Sequence, residues 1–316
     1  MQKKNRVWTV HLRNEDRDIL PALNEIVTLA REVGIRSHIS HIKALGKDAW
    51  GEFPKSLEML NAAKESGVNV NFDLYPYDRT ATVLYLLLPE WATAGGRLEV
   101  LKRLGDRVAR KKIKEELAGK AEEISKIVLA YGDIDRTLFG KSIGDIASNQ
   151  KSSPIEALLD VIIVSGDRVV GFMPSIDEAN IRRGIESEMS IVASDGAGYG
   201  IRDRKEGMLV HPRSFGAFPK FLGRYVRESR LVSWETAVRK ISSYPAETIG
   251  MSKRGRIAKG YMADIVIFDP KKIVDRANFQ DPFQYAEGIE YVIVNGGIAL
   301  RKGKFQKARY GRVLHA

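Results

Sequence analysis

Ser37-His38-Ile39-Ser40-His41-Ile42-Lys43 is the stretch whose reading decides the fold. It follows residues 19–34, which carry Leu20, Leu23, Ile26, Val27, Ala30 and Val33 at helical spacing and stop at Gly34. Read as a strand over 36–43, it places His38, Ser40 and Ile42 on one face and Ile39, His41 and Lys43 on the other. A strand ending in His-x-Lys, just before the turn-like Gly46-Lys47-Asp48, offers a metal ligand and a cation to one pocket. A single strand histidine is more often structural, so the surroundings decide.

Working outward, residues 7–12 (Val-Trp-Thr-Val-His-Leu) read as a buried strand. Residues 55–66 read as a second helix ending at Gly67, and 68–75 as a third strand closed by Pro76. Strand–helix–strand–helix–strand with a period of about 30 residues is the pattern of parallel α/β units. His11 and His41 lie one such period apart, both at C-terminal strand ends. In a (β/α)8 barrel that is the catalytic face, so the two imidazoles are expected to converge.

Residues 78–167 break this rhythm with Trp91, Gly95-Gly96 and a charged helical run over 98–125. They are expected to form an inserted helical lid or subdomain, or a plainer surface decoration. Short apolar strands resume at 168–175 and 190–194. The second leads into Ser194-Asp195-Gly196, a carboxylate at a strand end followed by glycine, which suits a general base although turns use the same residues. His211-Pro212-Arg213 falls on a loop, and helices are expected over 218–228 and 233–249, the latter capped by Ser233. From Gly255 the chain turns to β at 263–269, 289–295 and 298–302, with a hairpin at Asn295-Gly296. The expected division is 1–77 barrel units, 78–167 insertion, 168–254 final barrel strands and helices, and 255–316 a C-terminal β segment.

With 316 residues, 44% hydrophobic, the chain can bury one large core and a small appendage. No stretch reaches the ~18 apolar residues of a transmembrane helix, and residues 1–8 lack the apolar run of a signal peptide. The net charge of +11 invites a nucleic-acid reading. Outside the dense run 107–114, however, Lys and Arg alternate with Glu and Asp, so nucleic acid is not expected as a partner. Abundant Lys, Arg and Glu also suit a heat-adapted surface. The absence of cysteine excludes disulfides and thiolate ligands and fits a reducing cytoplasm.

His11, His41 and Asp195 make a coherent set, since neutral imidazoles bind zinc and a carboxylate beside a metal can take a proton from water. Seven ordered segments carry a wider likeness. They are Thr9-Val10-His11-Leu12-Arg13-Asn14-Glu15, Ile39-Ser40-His41-Ile42-Lys43, Asp73-Leu74-Tyr75-Pro76-Tyr77, Leu88-Pro89-Glu90-Trp91, Ala193-Ser194-Asp195-Gly196, His211-Pro212-Arg213 and Ala263-Asp264-Ile265-Val266. Together they resemble the D-aminoacylases (N-acyl-D-amino-acid deacylases) of the amidohydrolase superfamily. The resemblance implies an α/β fold, a partial (β/α)8 TIM-like barrel of strands five to eight with an inserted helical subdomain and part of a small β-sandwich domain. It implies zinc held by His11 and His41, Asp195 as general base and then acid, and Lys43, Tyr75 and Arg213 on the substrate's α-carboxylate. His38 reads as structural, and His211 as ordering the loop.

The sequence departs from the family by having no His-x-His pair and no cysteine ligand, so the zinc site is expected to be incomplete. Two readings stay open: a C-terminal piece completed by a separate N-terminal chain, or a self-associating, non-catalytic remnant or subunit. A related hydrolase of cyclic amides or dipeptides is the alternative activity.

Overall fold

The computed structural model describes residues 6–314 apart from Asp167 and Glu206, so the reading of residues 1–5 lies outside the described part. Strand β1 (Val7–Val10) leads to helix α1 (Ile19–Val33), whose buried Ile19, Ala22, Leu23, Ile26, Val27 and Ala30 form a stripe at intervals of three and four. Gly34 ends the helix at φ 64°, where a side chain would be strained. β2 (Arg36–Ile39), α2 (Glu52–Glu65) and β3 (Val70–Leu74) follow. All three strands are parallel, with Val10 opposite Ile39 and Ile39 opposite Phe72. All three strands are shorter than expected, β3 covering 70–74 of the expected 68–75. β1 stops before His11, and β2 stops at Ile39 because His41 takes a left-handed backbone, φ 39°. Strand alternation therefore does not place His41 or Lys43; a turn does.

The next elements are β4 (Arg79–Val83), α3 (Glu90–Thr93), α4 (Arg97–Gly105), α5 (Arg107–Leu117), α6 (Ala121–Ser125), β5 (Val128–Tyr131), α7 (Ile143–Gln150), α8 (Pro154–Val164) and β6 (Val170–Pro174). Helix starts follow their caps: Ser142 shares a capping box with Asp145, and Ser153 accepts from Glu156 N ahead of Pro154. The three strands form an antiparallel sheet in the order β4-β6-β5, so this layer is not purely helical. The expectation that residues 168–175 rejoin the barrel strands is corrected. Val170 pairs with Val83 and Met173 with Thr80, which ties β6 to the insertion. The helices close over a separate core that includes Leu84, Leu104, Ile113, Leu129, Leu158 and Val169.

After α9 (Glu178–Glu186), β7 (Ser190–Val192) returns to pair with β3, Leu74 opposite Val192, completing a parallel sheet in the order β1-β2-β3-β7. Its core gathers Leu12, Leu23, Ile39, Leu60, Phe72, Phe221 and Tyr225. α10 (Arg213–Lys220) runs into a π-helical stretch, Phe221–Glu228. The expected helix over 233–249 is broken into α11 (Trp234–Ile241) and α12 (Ser243–Thr248) at Ser242, φ −138°, ahead of Pro245. β8 (Ile265–Phe268), β9 (Ile289–Val294), β10 (Gly297–Arg301) and β11 (Lys304–Phe305) make an antiparallel sheet. Asn295 and Gly296 form the tight hairpin at φ 48° and 85°. No helix among the described residues is long and apolar enough to cross a membrane.

Candidate active site

The ends of the parallel strands bring the expected residues together. His11 follows β1 and His41 lies two residues past β2; His11 Nδ1 and His41 Nε2 stand 2.9 Å apart, with the rings inclined at 65°. Lys43 Nζ donates to Glu15 Oε1 at 2.6 Å and to the His41 carbonyl at 3.0 Å, and stands 2.8 Å from His41 Nδ1. Burial pushes the Lys43 ammonium down, against the pull of Glu15. Burial alone would raise the Glu15 carboxyl, but His41 and Lys43 together hold it below its ordinary value. Burial also lowers His11, which favours the neutral, metal-ligating form.

Across the site, Arg213 at the start of α10 forms a 2.8 Å ion pair with Asp195, and its guanidinium lies over the Tyr75 ring, 4.6 Å from the centroid. Tyr75 is buried, which raises its phenol and keeps it protonated. Gly196 is required here, since a Cβ would meet Ser214 Cα at 2.8 Å. The two groups share one field: Asp195 acts on both His11 and Lys43, and Arg213 on Lys43. His211 orders the loop, accepting at Nδ1 from Arg213 N at 3.1 Å and donating through Nε2 to the Arg79 carbonyl at 2.9 Å.

Two residues at the site escaped the sequence reading. Glu15 is nearly buried, and with His11 and His41 it forms a group whose ligand atoms lie within 4.8 Å of one another. Its signal was a carboxylate four positions after His11, immediately past an apolar strand. Asp73 accepts from the His41 backbone N–H at 2.7 Å and pairs with His38 Nε2 at 2.6 Å. An acid inside the apolar run 70–74 was its signal. His38 is buried. Burial alone would push it down, but pairing with Asp73 holds it raised.

The donors suit zinc. Two nitrogens on one tetrahedral zinc stand about 3.3 Å apart for Zn–N bonds of about 2 Å, a little wider than the 2.9 Å here. Glu15 Oε1, 3.3 Å from His41 Nδ1, occupies the place of an outer carboxylate that orients a ligating imidazole.

A family model described as the amidohydrolase family matches residues 198–299. The chain is 30% identical over 293 residues to the N-acyl-D-glutamate deacylase of Alcaligenes xylosoxydans xylosoxydans, covering 93% of this chain and 51% of that protein. A solved N-acyl-D-glutamate deacylase from Bordetella bronchiseptica superposes with a TM-score of 0.79 at 28% identity, covering 100% of this chain and 57% of that one. The chain is similar to the D-aminoacylases of the amidohydrolase superfamily. The Bordetella structure holds zinc and a phosphonate inhibitor described as a mimic of the tetrahedral intermediate. The D-aminoacylase of the same Alcaligenes organism is 29% identical over 308 residues, 98% of this chain and 54% of that protein. The chain thus spans about half the length of the curated relatives it matches, a share that fits the C-terminal portion of a D-aminoacylase.

Proposed function

We propose that the chain supplies the catalytic end of a metal-dependent amide hydrolase that splits N-acyl-D-amino acids into a D-amino acid and a carboxylate. The supporting observation is the meeting of His11 and His41, 2.9 Å apart beyond neighbouring parallel strands. In this reading β1, β2, β3 and β7 are strands five to eight of a (β/α)8 barrel. Residues 78–167 with β6 form the inserted layer, the remainder to 254 the last barrel unit, and 255–316 part of a small β domain.

His11 and His41 would hold zinc, with Glu15 orienting His41. When bound, zinc supplies Lewis-acid polarisation of the acyl carbonyl and acidifies water. Asp195 takes a proton from the attacking water and returns it to the leaving nitrogen. Lys43 and Arg213 present two cations to the α-carboxylate, Arg213 exchanging part of its contact with Asp195 for the substrate. Tyr75 supports the Arg213 guanidinium from below and offers its phenol proton to the same carboxylate. The D-configuration follows from the named relatives, not from any spacing in this chain.

The test is zinc content and turnover of N-acetyl-D-amino acids, measured for the chain alone and with a polypeptide carrying the other half of a relative's barrel. Zinc should bind, and Asp195→Asn should lower kcat by about 10²–10⁴-fold. No zinc and no turnover in either setting overturns the reading. A panel with cyclic amides and dipeptides separates the related superfamily hydrolases. The outer position of β1 and β7 in the parallel sheet favours a second reading, a subunit that completes a barrel with a partner or a second copy. Turnover seen only with the partner, and indifferent to Asp195→Asn, would select it.

A further inference from the structure

The backbone at His41 poses a problem that the ligand set does not solve. β2 ends at Ile39, and two residues later the chain takes φ 39°, a region that a β-substituted residue enters at a cost. This turn carries the His41 ring to the His11 ring. Asp73, from the neighbouring strand β3, grips it twice: Oδ1 accepts from His41 N at 2.7 Å, and the Asp73 carbonyl accepts from Ile42 N at 2.9 Å. The second carboxylate oxygen, Oδ2, is engaged by His38 Nε2 at 2.6 Å. His38 is held in turn at Nδ1 by Asn71 Oδ1 at 2.7 Å, and Asn71 Nδ2 donates to Thr248 Oγ1 at 2.6 Å. Asn71 thus bridges His38 and Thr248 and holds the ring from behind, while Nε2 faces the Asp73 carboxylate. Asp73 is therefore an acceptor whose orientation is set from β2 and α12 before it meets His41.

We propose that Asp73, oriented by His38, is a positioning residue that sets the left-handed turn at His41 and so aims its imidazole at His11. The inference rests on the reading of His41 as a metal ligand for its consequence, but the turn itself can be tested without metal. In Asp73→Ala the His41 backbone N–H loses its side-chain acceptor. In Asp73→Asn the amide oxygen still accepts from His41 N while its Nδ2 donates to the Nε2 of a neutral His38.

Two measurements decide the matter. Titration with Co²⁺ alone, followed by its visible absorption, should show Asp73→Ala weakening affinity by about 10–100-fold, with Asp73→Asn keeping most of the parent affinity. The denaturant midpoint should fall for Asp73→Ala when residue 41 is His, and fall much less when residue 41 is Gly, which accepts the turn freely. Unchanged Co²⁺ affinity in Asp73→Ala, a loss in Asp73→Asn as large as in Asp73→Ala, or an equal loss of stability with His or Gly at 41 would overturn the proposal. An Asp73→Ala protein that fails to fold with either residue at 41 counts as the last of these outcomes. If the parent chain does not bind Co²⁺, the metal-site reading has failed, and the His41→Gly comparison decides the positioning role by itself.

Discussion

His211 is buried against the rings of Tyr75, Tyr77, Phe172 and Phe279. Burial, aided by the Arg213 cation, pushes its imidazole down to about 3. In the unfolded chain it titrates near about 6.5, so between these values the unfolded state binds the extra proton. Its contribution is complete above the unfolded value and is lost as pH falls toward 3. Urea midpoints measured from pH 7 to pH 4 should therefore fall, and His211→Gln should flatten the part of the slope that this residue supplies. At this scale the gathering of His11, His41, Lys43, Tyr75, Asp195 and Arg213 in one region was legible because strand ends and an ordered motif set mark them. The contacts of Glu15 and Asp73 were not, because they depend on which side chain lies across the turn, and no local pattern encodes that.

Lys240 shows how one side chain ties three elements. It lies fully buried on α11 and donates to the carbonyls of Ser187 and Ser190 and, at 2.7 Å, to Ser190 Oγ, joining α11 to the end of α9 and the start of β7. Burial lowers its ammonium to about 8. An unfolded lysine holds its proton to about 10.4, so across that window the unfolded state binds more protons and stability rises with pH. The buried tyrosines Tyr75, Tyr77 and Tyr225 are shifted upward and oppose this at high pH, so the informative quantity is a difference. Unfolding free energies of the parent minus Lys240→Met should increase from pH 8 to 10; a flat difference rejects the assignment. Element starts and turns read well from Ser233 and Asn295-Gly296, whose chemistry is local. The ends of β1 and β2 and the partners of β6 read poorly, because a strand's length and sheet depend on a neighbour remote in sequence.

At the scale of the whole molecule, the parallel sheet and the inserted layer have separate cores. Leu158, fully buried in the second, should cost about 2–5 kcal/mol on substitution by Ala. Metal affinity at His11 and His41 should stay within about two-fold, because the cavity opens away from them. Calorimetry with a Co²⁺ titration checks both, and a coupled loss of affinity would show that the layers act as one. The α/β class was legible because a repeated unit writes its period into the sequence. The insertion's antiparallel sheet was not, since β4, β5 and β6 are separated by long helical stretches. The order β1-β2-β3-β7 also has a practical consequence. Among the described residues, β1 and β7 each pair with one neighbour only; β7 is buried and its Ser190 carbonyl is taken by Lys240, but β1 is partly exposed and offers an open row of backbone donors and acceptors. Such a row recruits other strands in proportion to how often molecules collide. Purified material should therefore scatter more light as it is concentrated. A proline at half-exposed edge positions of β1, or a short peptide strand added in excess, should suppress that clouding where added salt alone does not.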